Sequence, residues 1–583
     1  MKTIIRYLTK QEWMFLGVCG VFALCSIWTD MSIPAQMSRV TTLLQTEGST
    51  VSDVTGNGAR MLLFALLGLL CTVATTYFSA RVGAGLAMRV RGAVFDKTLD
   101  FSPEDSVNFS TSSLITRCTN DIVRIQTLFA AGAVLIFKAP LTAVWAFSRI
   151  VGQNPLWTTA VGVVFAIVVA FIVGIAALVR PQIRKAQALM DDTNRVSREH
   201  LSGIRVIHAF HAFDYQKLRF ETVNEKLKAI SSRIDRRIAL FNPFLDTMTN
   251  VLNVAIYCIG AIVIGTAAAS DRIGLFSEMV TFSSYALLVM TAFVQLLVIY
   301  MGLVKALASI DRISEVLNTE IHIRDGANET AETAKGTVEF KHVTFRYPNA
   351  GDDALTDISL SIQAGQTVAF IGATGSGKTS ILNLIPRFYD VTGGQVLVNG
   401  KDVRDYKLKE LRNKLGYIPQ RSILFSGTIA DNIAYGDNGR FRATLTEIKH
   451  AAEVGQAKEF IEKKEGGYEA KVSEGGKNFS GGQRQRLTIS RAIARDPEIY
   501  LFDDSFSALD FKTDRMLRDR LKEVAAGATV IIVAQRIGTI RSADQIFVVD
   551  QGRIVGSGTH DELMEGCPIY QEIALSQALG EKT

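Results

Sequence analysis

The run Gly372-Ala-Thr-Gly-Ser-Gly-Lys-Thr379 has the spacing G-x-x-x-x-G-K-[ST], and the apolar residues 368–371 lead directly into it. Gly372, Gly375 and Gly377 allow backbone N–H groups to wrap phosphates, and the N-terminus of a following helix adds its dipole. Lys378 would reach the β- and γ-phosphates and Thr379 would ligate Mg²⁺, with Thr374, Ser376 and Ser380 completing the expected nucleotide contacts. A second apolar run, residues 499–502, ends in the carboxylate of Asp503, the expected Mg²⁺ partner. Together these residues describe a site for ATP with Mg²⁺.

Such a loop needs a strand before it and a helix after it. From residue 337 onward, strand-like and helical runs alternate, which predicts an α/β domain over 337–583. Residues 319–336 are polar and weakly patterned and read as a linker. Residues 1–318 are different in kind. Residues 61–80, 155–179, 247–270 and 279–304 contain no Asp, Glu, Lys or Arg, and two more apolar runs are interrupted once each, by Asp30 and by Lys138. About 20 residues of helix cross a bilayer. The sequence therefore predicts six membrane spans, at about 13–38, 61–84, 125–148, 155–179, 240–270 and 279–304, and the first reads as a helix, not a signal peptide. The inter-span segments 81–124 and 180–246 carry six and thirteen Lys/Arg, so these segments and both termini are expected in the cytoplasm. Both keep helical periodicity, so the helices should continue well past the membrane, with turns near 103–113 and 209–215. Asp30, Lys138 and Asp246 lie within or at the ends of spans, where an ionisable group is costly, and are candidates for a substrate path.

Composition agrees. The 583 residues are 48% hydrophobic with 21% charged, and mean hydropathy is +0.20. This excludes collagenous, disordered and small secreted classes. A net charge of +6 gives no support for a nucleic-acid partner. Six cysteines without C-x-x-C or His-paired spacing exclude a zinc site or a disulfide framework.

Further motifs resemble one family, the ATP-binding cassette (ABC) transporters. The most specific is Phe479-Ser-Gly-Gly-Gln483, similar to the cassette signature, in which Phe479, Ser480, Gly481, Gly482 and Gln483 are expected to contact a nucleotide held by a partner cassette. Tyr347 matches the aromatic residue that stacks on adenine, Gln420 the loop glutamine near Mg²⁺, and Ser507-Ala508-Leu509-Asp510 the loop crossing between cassettes. Residues 114–121 and 203–210 resemble the intracellular-loop signatures of the exporter branch, and residues 308–312 its last-span exit. The resemblance spans nearly the whole chain and implies half of an exporter in the bacterial cell membrane: an α-helical membrane domain plus a P-loop ATPase domain of ABC type.

Two positions depart from the family pattern. A catalytic Glu normally follows the Mg²⁺ aspartate, and this chain has Asp504; a switch His normally follows the next strand, and this chain has Gln535. A carboxylate one methylene shorter falls roughly 1–1.5 Å from its usual place. With the signature kept, the resemblance is to the degenerate-site subunit of bacterial heterodimeric multidrug exporters. It implies a second half-transporter carrying the catalytic Glu and switch His. The substrate is expected to be amphiphilic and drug-like, and cationic if Asp30 lies on its path. A lipid or peptide exporter, or an ATP-gated membrane protein that transports nothing, shares the same architecture.

Overall fold

The computed structural model describes all residues except 1, 47–49, 152–154, 269–270, 328–333, 349, 437–441, 508, 525–526 and 581–583. The chain divides into two compact units, one formed by Met1–Thr98 with Thr111–Asn318, the other by Leu99–Ser110 with Thr319–Thr583.

The first unit is helical. Among the described residues, six helices are long and apolar enough to cross a membrane: Lys10–Gln45, Val51–Leu99, Thr111–Ile150, Pro155–Ser202, Phe213–Thr266 and Arg272–Leu296. A continuous helix is the one open structure that satisfies every backbone polar group in hydrocarbon, so uncharged runs of this length have no alternative. The first helix starts at a capping box, Thr9 with Glu12. Pro34 and Pro140 sit inside their helices, whereas Pro243 occupies the first turn of Phe241–Thr266, where a missing N–H is not needed. That helix stops at Thr266, short of the expected 270, because Ala267 turns extended. Helix crossings are close: a Cβ on Gly83 would come within 2.8 Å of the Gln126 carbonyl oxygen. The apolar core lies around Ile27, Trp157, Ile256, Phe282 and Ala286. The third spanning helix contains two wider, π-type turns, Arg117–Asp121 and Leu128–Gly132, a feature that frequently marks functional positions.

Among the described residues the second unit has twelve strands. They are β1 (Val338–Phe345), β2 (Leu355–Ile362), β3 (Thr367–Ile371), β4 (Gly393–Val398), β5 (Lys401–Asp402) and β6 (Leu415–Ile418), then β7 (Gly427–Thr428), β8 (Lys471–Val472), β9 (Ile499–Asp503), β10 (Thr529–Val533), β11 (Gln545–Asp550) and β12 (Arg553–Gly558). One sheet runs β2-β1-β4-β5, the main one β12-β11-β3-β10-β9-β6, and β7 pairs with β8. Within the main sheet β11, β3, β10, β9 and β6 are parallel. Every residue of β9 and β10 is buried, as continuous apolar strands covered on both faces must be. Ile532 and Phe502 belong to one core and Ile531 and Leu501 to the other.

Two segments depart from expectation. Leu99–Ser110 belongs to the second unit although it continues the helix that contains the second span. Its short helix, Pro103–Val107, is capped by Ser102, whose N–H donates to the Asp105 carboxylate (2.9 Å) while the Asp105 N–H donates to the Ser102 hydroxyl (3.2 Å). The other oxygen of Asp105 lies 2.5 Å from His322 Nδ1. The expected linker is also held along its first residues. Ile323 is buried, the Gly326 N–H donates to the Tyr406 carbonyl (2.8 Å), and Arg387 donates to the Arg324 carbonyl (2.9 Å). A polar composition does not reveal main-chain docking of this kind.

Candidate functional site

Parallel strands present their C-terminal ends to one side of the sheet, and loops leaving adjacent strands there converge. The glycine-rich loop leaves β3, Gln420 follows β6, Asp503 ends β9 and Asp504 follows it, and Gln535 follows β10. The strand order β3-β10-β9-β6 makes these four strands neighbours. Residues 48 to 163 positions apart along the chain from Gly372 are thereby gathered at one edge.

The loop has the backbone that phosphate binding demands. A Cβ at Gly372 would lie 2.0 Å from the Val549 carbonyl oxygen. Gly377 adopts φ +105°, and a Cβ there would meet Leu355 Cδ2 at 2.8 Å. Neither position accepts a side chain. Gly375 differs from both: it is exposed, and nothing lies within 4 Å of where its Cβ would be. Crowding therefore does not demand glycine at Gly375, but its φ of +86° does, because that backbone turns the loop back on itself. Lys378 is buried, and its ammonium donates to the carbonyls of Gly372 (2.9 Å) and Ala373 (2.6 Å) and to the Ser376 hydroxyl (3.2 Å). Burial lowers its pKa, opposed by the charges of Asp504 and Asp503. Ser376 and Ser380 are buried, Thr374 and Thr379 are exposed, and Tyr347 shares a 2.9 Å hydrogen bond between its hydroxyl and that of Ser380. The Tyr347 ring packs edge-on to Tyr389, with centroids 5.2 Å apart.

The Thr379 hydroxyl donates to Asp503 (2.8 Å), which puts a neutral and an anionic oxygen side by side. That donor set fits Mg²⁺, a hard cation that keeps most of its shell for water and substrate phosphates. Among the described residues no three His, Cys, Asp or Glu side chains converge, so no all-protein cage competes with this reading. Burial raises the Asp503 pKa, with Asp504 adding to it and Thr379 and Lys378 opposing it.

The two departures from the family pattern touch each other. Gln535 Nε2 donates to Asp504 Oδ2 (2.9 Å), and Gln420 Nε2 reaches the same oxygen (3.3 Å). Asp504 has φ +45°, a left-handed conformation that aspartate tolerates better than most residues. Its backbone N–H is fixed by the Val533 carbonyl (2.9 Å). The short carboxylate is thus tied to two neutral amides.

The signature begins a helix, Gly481–Ile493. Ser480 caps it, its hydroxyl accepting from the Gln483 N–H (3.3 Å) and its N–H donating to the Gln483 side chain (3.0 Å). Gly481 is exposed and Gly482 half-buried. Phe479 requires a correction: its side chain is only 5% exposed and joins the core under Lys464, whose ammonium lies 4.8 Å from the ring centroid. It seats the signature and does not present a side chain to a partner's nucleotide. Leu509 is buried, and Asp510 accepts from the Thr513 N–H (2.9 Å) and hydroxyl (2.7 Å), capping the helix Phe511–Val524; Ser507 is exposed, and Ala508 lies outside the described residues.

Three arrangements were not read from the sequence. The segment after Gln420 is tied to the signature helix by Ser422 with Gln485 and by Arg491, which donates to the carbonyls of Ile423 (3.0 Å) and Asn432 (2.8 Å). Burial pulls the Arg491 pKa down to about 10. In the first unit, Asp121 is fully buried and receives Arg312 Nε (2.7 Å) and the Ser309 hydroxyl (2.9 Å), while Arg117 donates to the Arg312 carbonyl (2.8 Å). These residues come from two motifs that the sequence shows only separately. Finally, Lys138 Nζ is 2.9 Å from Asp30 Oδ2. Asp30 already has a cationic partner, which removes the basis for expecting a cationic substrate there. Asp246 is exposed on another helix.

Residues 355–507 match the family model for the ABC transporter, and residues 16–293 that for the ABC transporter transmembrane region. The chain is 38% identical over 524 residues to an uncharacterised ABC transporter ATP-binding protein of Mycobacterium tuberculosis, covering 90% of this chain and 89% of that one. It is 32% identical to the ATP-dependent lipid A-core flippase of Pseudomonas aeruginosa, over 84% of this chain and 79% of the relative. A solved structure of a bacterial Atm1-family ABC exporter with ATP bound superposes with a TM-score of 0.81 at 24% identity, covering 98% of this chain and 99% of that one.

Proposed function

From the premise that this chain belongs to the ABC transporters, as an exporter half with one membrane domain and one ATPase domain, we propose that it exports small amphiphilic compounds as the degenerate-site half of a heterodimer. The observation carrying the second part is the Asp504 carboxylate held by Gln535 and Gln420.

At this chain's own site the loop amides and Lys378 hold the phosphates, and Tyr347 receives the adenine. Thr379 and Asp503 would hold Mg²⁺, which would supply charge neutralisation on the phosphate oxygens. The position of the general base is filled by a carboxylate about 1–1.5 Å short, and misplacement of that order costs about 10²-fold in rate. Gln535 can donate a hydrogen bond but carries no charge. The site therefore binds nucleotide firmly and turns it over slowly. The capped helix Gly481–Ile493 is intact, so this chain's Ser480, Gly481 and Gly482 complete the site on a partner cassette bearing the Glu and the His, where most hydrolysis occurs.

The test is single-turnover ATP hydrolysis by the chain alone and with its partner half. Asp504→Glu combined with Gln535→His should raise turnover at this site by about 10²-fold, while nucleotide affinity stays the same. Full transporter-rate hydrolysis by the unaltered chain alone would overturn the degenerate-site reading. A second cargo, lipid, is favoured by the likeness to lipid A-core flippases. ATP-dependent movement of a labelled lipid, with no accumulation of amphiphilic dye, would select it.

A further inference from the structure

The first, second and third spanning helices meet at a polar cluster. Lys138 Nζ lies 2.9 Å from both Asp30 Oδ2 and the Ser26 hydroxyl, and Ser26 Oγ is 3.2 Å from Thr72 Oγ1. Asp30 is eight residues from the end of the expected span 13–38 and Lys138 ten from the end of 125–148, placing both ~12–15 Å along their helices from that boundary at 1.5 Å per residue. The two charges therefore meet at one depth within the hydrocarbon.

The surroundings are built for this meeting. Gly68 faces the pair from the second helix, and a Cβ there would come 2.9 Å from Thr29 Oγ1 and 3.6 Å from Asp30 Oδ1. One turn beyond Lys138 on the same helix face, the Thr142 hydroxyl is buried with no hydrogen-bond partner among the described residues. Buried polar groups are otherwise almost always paired, so an orphan hydroxyl beside an ion pair marks a place for another polar group. The pair itself is not sealed: the Lys138 and Asp30 side chains are 22% and 33% exposed, and Phe137 and Leu141 beside Lys138 are exposed apolar surface.

We propose that Asp30, Lys138, Ser26 and Thr142 form a ligand subsite for zwitterionic amphiphiles, compounds that carry an anionic and a cationic group on one apolar body. The argument is charge balance in a low dielectric. A purely cationic ligand that takes Asp30 strands Lys138, and an anionic ligand that takes Lys138 strands Asp30; breaking such a pair by removing one partner is strongly unfavourable. A ligand bringing both signs replaces each contact and strands neither. Its anionic group goes to Lys138 with the Thr142 hydroxyl as an additional donor, its cationic group goes to Asp30, and its chain lies along Phe137 and Leu141. The inference rests on the export reading above only for its physiological meaning; binding is tested separately.

The test uses the full chain in lipid nanodiscs and three probes with one C12 chain, n-dodecylphosphocholine, dodecyltrimethylammonium and dodecyl sulfate, all below micelle formation. Wild type should bind the zwitterion at least about tenfold more tightly than either singly charged probe. Asp30→Asn should move the preference to dodecyl sulfate, Lys138→Gln should move it to dodecyltrimethylammonium, and the swapped pair Asp30→Lys with Lys138→Asp should restore the zwitterion. Equal weakening for all three probes, or one unchanged order in every variant, would show that the pair only holds helices together. If a single variant does not fold, wild type decides: binding dodecyltrimethylammonium as tightly as dodecylphosphocholine overturns the subsite. Uptake of the same probes by inside-out vesicles is followed in parallel. The expected charge pattern without ATP-driven uptake overturns export alone, and uptake indifferent to these substitutions overturns the subsite alone.

Discussion

Asp121 is an exacting residue outside the nucleotide site. It is fully buried, and among the described residues Arg312, Ser309 and the more distant Arg124 offset its charge. A carboxylate taken out of water needs a counter-ion and filled lone pairs, and Arg312 with Ser309 supplies both. Arg312→Leu leaves that carboxylate without its main counter-ion and should destabilise the first unit by about 3 kcal/mol, read by denaturant unfolding in detergent. Adding Asp121→Asn should recover most of the loss, because the stranded charge is then gone. Little of this was legible beforehand. The loop from Gly372 to Thr379 and the carboxylate of Asp503 were readable because each is a local pattern. Asp121 and Arg312 are 191 residues apart, and no local pattern encodes such a pairing. The same holds for Asp30 with Lys138, which the sequence offers as two separate oddities. Asp504 and Gln535 were legible as departures, whereas their contact with each other was not.

Among the elements, the helices were the easiest to read. Uncharged runs of twenty or more residues leave the backbone no other structure in a bilayer, and the membrane helices follow. The docked stretch after Asn318 reads as a linker because its partners, Tyr406, Arg387 and Asp105, lie far from it along the chain, and no local pattern encodes them. That stretch also carries a titratable contact. His322 meets Asp105 of the short helix Pro103–Val107, and Asp105, Glu104 and Glu320 all hold its pKa above the ordinary 6.5. Burial alone would raise the Asp105 pKa, but the hydrogen bonds from His322 and Ser102 bring it below its ordinary 3.8. The histidine's contribution is fully present below pH 6.5 and is lost as pH rises through its raised value. The aspartate's contribution is present above pH 3.8 and is lost as pH falls through its lowered value. Amide hydrogen exchange across residues 99–110, corrected for intrinsic rate, should therefore be slowest near pH 5–6 and accelerate toward pH 8. His322→Ala should flatten that rise. A profile that is already flat in wild type would mean the contact holds nothing.

At the scale of the molecule, composition divides the chain after residue 318, and nothing in that pattern assigns Leu99–Ser110 to the second unit, where the structure has it. The second unit is discontinuous in sequence. A fragment beginning at Thr319 lacks the residues that pair with His322 and should unfold at lower temperature than the same fragment supplied with a 99–110 peptide; equal melting of both would show that the exchanged segment adds no stability. The exchange also sets an order in time. During synthesis Leu99–Ser110 emerges about two hundred residues ahead of Thr319, and at about 5–20 residues per second that is a wait on the order of ten to forty seconds. Through that interval Phe101 and Phe109, which stack on each other in the finished unit, have no completed domain to join. The cassette cannot close its own fold until the membrane half has been made, so a ribosome that stalls between the two units leaves this segment waiting with an apolar surface in water.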